Sequence, residues 1–588
     1  MPVRPLPDDP SFEHLRKEAK RLRNGIRSGD ATMLAQVREF HPRAGDVLAD
    51  FSLADAQLVT ARSYGFASWA KLKQHLAVVD QFAWNPLPIA SGSTTAVDRF
   101  VRLACMDYGT WHRSNPEKAQ RLLDENPALS GVDIYTAAAA GEIAVVRSML
   151  DRDPALVNRR GGVLRWEPLL YACYSRLEPA ANRSTLEVVR LLLARGAEPN
   201  AGFLRDGRYL YTALTGAFGR GEDWHNQPPH PDCVAVARLL LEAGADPSDP
   251  QTLYNRHFQP DDEHLVLLFE YGLGRSARGP WFTRLGDRID MPAKMLVQEL
   301  CWAAAHNFPN RVTLLVEHGV DLNTPSGRTG RTPYQEAVRE GHHAVAEYLL
   351  EHGAKRVDLD PLDAFAGACI AERHEEVRAR LAKDPSLLEK LGHEGRTDLI
   401  HRAVNARRPG AVRLIAGLGI DINAMVPGTG LNRSALHNAA GWSGLEMVKL
   451  LLELGADPHQ RDLAYGSTPI GWAAYGDKQD VVNYLLPFAD IFDAVRVGGV
   501  ERVAELIDQN PSLVNATDAD GDAIVFYLHP EMRRLDEMLA LLTNHGANVN
   551  ARDHAGSTVL DRALARGSVD FAALLRAHGA TRLAPESG

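Results

Sequence analysis

A phrase of paired small residues, a Val/Leu run and a closing Gly-Ala recurs along this chain at near-constant spacing. It reads Ala439-Ala440, Val448-Lys449-Leu450-Leu451-Leu452 and Gly455-Ala456-Asp457, then Ala337-Val338 with Gly341-His342 and Gly353-Ala354, then Ala563-Leu564 with Gly567 and Gly579-Ala580. Further copies end at Gly196-Ala197, Gly244-Ala245, Gly319-Val320, Gly419-Ile420 and Gly546-Ala547. The period follows by subtraction, 353 − 319 = 34 and 579 − 546 = 33. Two helical runs in a unit of that length predict stacked helical hairpins, each burying its apolar stripe on its neighbours.

Each part of the phrase has a physical reason. Paired small residues let one helix lie close to the next, and the Val/Leu run supplies the buried stripe. The glycine follows the last turn, where the chain enters a left-handed conformation that costs glycine nothing. Units that open with Thr332-Pro333 or Thr468-Pro469 place a threonine where it can cap the helix and a proline where no N–H is needed. Elsewhere, in Asp153-Pro154, Asp384-Pro385 and Asn510-Pro511, a proline ends the second helix where other units use Gly-Ala.

Ser434-Ala435-Leu436-His437-Asn438-Ala439-Ala440 and Ser467-Thr468-Pro469-Ile470-Gly471-Trp472-Ala473-Ala474 resemble the T-P-L-H-x-A-A signature of the ankyrin repeat family. The loop ends Asn200-Ala201, Asn323-Thr324, Asn423-Ala424 and Asn548-Val549-Asn550 match it too. Roughly thirteen units fit between about residue 115 and residue 583, some four fifths of the chain. The resemblance implies an all-α fold, a curved α-solenoid of helix-turn-helix repeats, and a non-enzymatic scaffold that holds a protein partner in its concave groove and at its loop tips. It also implies structural histidines at His401 and His437. Carried over unit by unit, the groove positions give Tyr174, His306, Trp442 and Tyr475 as candidate partner contacts. Trp224, in an inserted loop, joins them, because Tyr and Trp give much contact area at small entropy cost. Arg339-Glu340 and Asn405-Ala406 fall on the same positions. Trp472 falls on a core position and is expected to be buried.

Residues 1–76 read as an N-terminal helical region, with Phe12, Leu15, Ala19, Leu22 and Ile26 at helical spacing. It has the helix, glycine turn, helix rhythm of the repeats, which suits diverged units capping the amino end, and it is similar to a leader of bacterial ankyrin proteins. The first helix is basic, through Arg16, Lys17, Lys20, Arg21, Arg23 and Arg27, as befits a solvated outer face. Residues 77–98 turn to Pro, Ser, Thr and Gly and read as a linker. The solenoid then fills 99–588, with regularity failing at about 202–295 through runs such as Gly219-Arg220-Gly221 and Gln227-Pro228-Pro229-His230-Pro231.

That interrupted stretch carries the alternative reading, an enzyme or a small-ligand or metal binder using it as a pocket, with His225, His230, Asp261 and His264 as acid/base groups or ligands. Their spacing matches no known ligand motif, and the chain has no Walker, G-x-S-x-G or C-x-x-C-H pattern, so no metal, cofactor or catalytic residue is assigned. A formal charge of −10 from 65 basic and 75 acidic side chains offers no general attraction for nucleic acid or anionic membrane. The start lacks the apolar run of a secretion signal, no stretch reaches the length of a membrane span, and five cysteines without a C-x-x-C pair suit a reducing compartment. A cytoplasmic location is the expectation, with the cysteines as small buried hydrophobes.

Overall fold

The computed structural model describes residues 4–7, 11–84, 95–108, 114–224, 226–275, 279–566 and 568–582. They form two compact units. One is built from the residues up to Glu299 together with Thr313–Asp321, the other from Leu300–Val312 and from Leu322 onward.

In the second unit the helices come in pairs at the expected period: Pro333–Arg339 with His343–Glu351, Pro361–Ile370 with His374–Lys383, Gly392–Asn405 with Pro409–Gly417, Pro469–Tyr475 with Gln479–Leu485, and Val559–Ala565 with Val569–Ala577. No single pair could bury its apolar stripe alone. Stacked, the pairs from Pro361 onward share one continuous core from Phe365 to Ala580, in which Val448, Leu450 and Leu451 are buried as their spacing requires. Helices close on left-handed glycines, Gly455 at φ 91° and Gly579 at φ 90°. After Val500–Gln509 a proline starts the short 3₁₀ turn Pro511–Asn515 in their place.

Thr332 caps its helix as expected. Its hydroxyl accepts from the Gln335 amide at 3.3 Å, and Gln335 Oε1 accepts from the Thr332 amide at 3.1 Å. Thr468 does not. Its hydroxyl donates to Asp493 Oδ2, 2.9 Å away, so it links two units rather than capping one.

In the first unit the N-terminal region folds as four main helices, Phe12–Arg27, Ala31–Phe40, Leu53–Ser63 and Trp69–Phe82, capped by Ser11, Asp30, Ser52 and Ser68. The helix expected to stop near Leu76 runs six residues further, because Leu72, Leu76 and Val79 continue one buried face. Strand β1, Ala83–Trp84, then pairs in parallel with β2, Gly202–Arg205, which pairs antiparallel with β3, Tyr209–Thr212. Residues 77–84 are therefore not linker, and the rest of the expected linker up to Thr94 lies outside the described residues. The supposedly irregular stretch begins with this hairpin, whose turn residues Asp206 and Gly207 both take positive φ, 53° and 65°.

Arginines fix the N-terminal helices against the interrupted repeats. The Arg288 guanidinium lies 3.9 Å from the Phe66 ring centre and donates to the Tyr64 carbonyl. Arg284 sits between Trp281 and Phe82, at 4.7 and 5.1 Å. The region expected to cap the amino end thus docks on β2 and Pro280–Leu285. Past the hairpin, 202–295 is mostly helical, with Ala213–Phe218, Cys233–Glu242, Pro250–Arg256 and Glu263–Glu270. No helix among the described residues is long and apolar enough to cross a membrane.

Candidate functional site

Spacing singles out one unit. Between the paired small residues and the glycine that reverses the chain there are two residues in Ala337-Val338-Arg339-Glu340-Gly341, but three in Ala439-Ala440-Gly441-Trp442-Ser443-Gly444. The extra residue is absorbed by a π-helical turn, Ala439–Ser443, closed by Gly444 at φ 95°. This turn carries Trp442, half-buried, and Ser443 anchors it by donating to the Val404 carbonyl at 2.9 Å.

Trp442 meets Trp472 of the next unit edge to face, ring centres 5.1 Å apart at 76°. Trp472 is half-buried, not enclosed as expected, and its indole N–H donates to Asp462 Oδ2 at 2.8 Å. Asp462 is itself buried and also accepts from the amides of Ala464 and Ser467, which shapes the loop that presents Leu463 and Tyr465. Tyr465 is 77% exposed and lies 6.2 Å from Trp472; Tyr475, at the end of the same helix as Trp472, is 51% exposed. Arg433 lies against both indoles, its guanidinium 5.3 Å from Trp442 and 5.0 Å from Trp472.

Beneath the aromatic face runs a polar spine. Arg433 Nε donates to Asn438 Oδ1, and Asn438 Nδ2 donates to His401 Nδ1 at 3.0 Å and to Asn405 Oδ1 at 3.1 Å. His437 Nε2 donates to the Ser467 carbonyl at 3.0 Å, leaving Nδ1 to accept from the Ser434 amide at 3.2 Å. Burial holds the His401 pKa down at about 4, with Arg433 and His437 adding to the effect, and burial also lowers that of His437. Both rings are neutral hydrogen-bonding parts of the stack, the structural role implied for them. At the neighbouring groove positions Arg339 pairs with Glu340 and Asp363, and Arg402 with Glu340, so those charges satisfy one another.

The other expected contacts divide. His306 is exposed but stacks on Trp302, ring centres 3.8 Å apart, and its Nδ1 lies 2.9 Å from the Trp302 carbonyl. Trp224 is half-buried, with Arg220 over its ring. Tyr174 is a correction. It is fully buried, its hydroxyl donates to the Thr212 carbonyl at 2.9 Å, and its ring packs against Trp166 and Phe203, since the inserted hairpin covers the position that faces a groove in regular units.

Each described acid/base candidate has surroundings of its own. His230 is buried, its Nδ1 accepts from the Asp232 amide at 2.9 Å, its Nε2 lies 2.8 Å from Thr185 Oγ1, and burial lowers its pKa to about 3. His264 is buried edge-on against Phe218, whereas Asp261 is an exposed carboxylate paired with buried Arg256. His225 lies outside the described residues. All five cysteines are free and four are buried, as small apolar residues would be.

The sequence profile for ankyrin repeats in three copies matches residues 298–361 and 400–493, and that for ankyrin repeats in many copies matches 531–576. The chain belongs to the ankyrin repeat family. Among curated ankyrin relatives it is 28% identical over 234 residues to ankyrin repeat and SAM domain-containing protein 6 of Danio rerio, covering 37% of this chain and 29% of that one. It is 26% identical over 239 residues to palmitoyltransferase AKR1 of Lachancea kluyveri, covering 39% and 28%. To the putative ankyrin repeat protein YahD of Escherichia coli it is 27% identical over 202 residues, covering 33% of this ankyrin chain and 98% of that one. The chain spans less than a third of the first two relatives.

Arg433, Leu463 and Tyr465 were missed by reasoning from the repeat pattern. Their signal was available: an arginine directly before the Ser434 cap, and an apolar and an aromatic residue in a loop that needs neither for folding.

Proposed function

We propose that the chain is a non-catalytic scaffold that holds a protein partner on the face formed by Trp442, Trp472, Tyr465 and Tyr475. One observation carries this reading. In a chain only 7% aromatic, two neighbouring units place two half-buried indoles and two exposed tyrosines together, outside the apolar core. Such rigid, amphipathic rings are favoured as binding hot spots. The affiliation supports it, since ankyrin repeats serve as protein-interaction scaffolds. The mild net acidity gives no reason to expect nucleic acid or membrane as partner, and five free cysteines favour a cytoplasmic setting. The test is capture from a lysate on immobilised protein. The unaltered chain should retain a partner in stoichiometric amount, and Trp442→Ala with Tyr475→Ala should release it; retention unaffected by the double change would refute the assignment of this face.

A further inference from the structure

Most arginines of the second unit that reach another repeat answer a carboxylate there: Arg331 and Arg339 with Asp363, Arg402 with Glu340, Arg461 with Asp490, Arg562 with Asp522. Arg433 does not. Its Nε is taken by Asn438, and among the described residues its two terminal nitrogens have neither a hydrogen-bond acceptor nor an ion-pair partner. Asp462, the acid near enough to be felt electrostatically, is committed to the Trp472 indole and the backbone of its own loop.

A guanidinium held this way is a prepared receptor. Two indole faces and one side-chain amide fix its plane, so little rotamer freedom remains to be lost on binding, and partial burial strengthens any charge pair it makes. The free edge of the fork matches a carboxylate, which can accept two parallel N–H bonds. Around it stand Trp442, Trp472 and exposed Tyr465, with exposed Leu463 and Tyr475 on the same two units.

Building on the partner-binding reading of this face, we propose that its occupant is an acidic segment of the partner protein, with a Glu or Asp carboxylate on Arg433 and an adjoining apolar side chain on the Trp442 and Tyr465 rings. The charge left open on this chain is positive, the rings beside it are apolar, and a segment carrying both complements satisfies the pair at once.

The test uses the full chain and two short capped peptides, one with Glu placed between Leu and Phe, the other its Gln-for-Glu twin, followed by tryptophan fluorescence. The Glu peptide should bind at least about tenfold more tightly than its twin, about 1.4 kcal/mol, and the preference should shrink as salt is raised. Arg433→Gln should bring the ratio of the two peptide affinities close to one, a readout that a general weakening of the face would leave unchanged, and Arg433→Lys should restore only part of the preference. Equal binding of the twins, binding of neither up to about 1 mM, or a preference that survives Arg433→Gln would overturn the proposal. Partner capture by the Trp442 and Tyr475 variants is read separately. If capture still depends on those rings while the twins bind alike, the face holds a protein and only its acidic preference is lost.

Discussion

Asn423 clamps the closing turn of the following repeat at Gly455: its Nδ2 donates to the Gly455 carbonyl at 3.1 Å, and its Oδ1 accepts from the Asp457 amide at 2.8 Å. The same two-bond clamp joins Asn158 to Gly196 and Glu198, Asn200 to Gly244 and Asp246, Asn323 to Gly353 and Lys355, Asn515 to Gly546 and Asn548, and Asn550 to Gly579 and Thr581. A helix end leaves carbonyls unsatisfied, and here the preceding repeat supplies the donor. Asn423→Ala removes both bonds and should lower stability by about 1–3 kcal/mol in urea unfolding. Asn550→Ala, which clamps the last described turn, should instead raise amide exchange mainly beyond Val559. Uniform exchange throughout the chain would speak against clamping between neighbours.

Leu451 is fully buried in the shared core. Leu451→Ala should cost about 2–5 kcal/mol through lost transfer energy and a residual cavity. In a nearest-neighbour stack the loss should be concentrated in the adjoining repeats, read by exchange in Gly392–Asn405 and Pro469–Tyr475. An unchanged midpoint would contradict the assigned helix face.

The turn between the two helices of a unit needs a left-handed residue. Gly141, Gly341 and Gly498 supply it without strain at φ 76°, 71° and 73°, whereas Glu372, Arg407 and Asp477 adopt it at 59°, 53° and 52°. Asp477 is exposed, so Asp477→Gly should stabilise by up to about 1 kcal/mol, the relieved strain being partly offset by the entropy of the unfolded glycine. Gly341→Ala should destabilise, as its added Cβ would stand 3.1 Å from Ala371 Cβ as well as at positive φ. Thermal melting of the two variants should move in opposite directions.

His401 links acidity to stability. Its folded pKa, about 4, lies below the unfolded value of 6.5, so the unfolded chain binds more protons between those limits. The stability it contributes is present above pH 6.5 and is lost as pH falls toward 4, by up to about 3 kcal/mol in all. Denaturation midpoints measured from pH 7 to about 4.5 should fall less steeply for His401→Gln than for the unaltered chain. Identical slopes would mean His401 is not buried in its neutral form.

Much of this was legible in the sequence because the interactions are periodic. The stripe through Val448 and Leu451, the glycine closures and the asparagines at loop ends each recur once per unit, so one copy interprets the rest. The unread parts lie where the period is broken or a contact crosses it. Ala83 pairs with Leu204, far along the chain, through a strand only two residues long. Tyr174 occupied a groove position by count, but Gly216 lacks the Cβ that would strike its ring at 2.3 Å, and so the insertion closes over it. Trp472 fell on a core position by count, yet its ring is only half-buried, with its indole N–H held by the Asp462 carboxylate of the preceding loop. The open charge of Arg433 cannot be seen without knowing where every carboxylate of its neighbours has gone.

The claim that the Trp442 and Tyr475 face receives a protein is tested most directly by photo-crosslinking in the native cell, with a photoreactive phenylalanine replacing Tyr475 in one variant and Val569, equally exposed on a later second helix, in another. A discrete adduct from position 475 that disappears on Trp442→Ala, with none from 569, is the predicted result. Adducts from 569 and none from 475 would contradict the account.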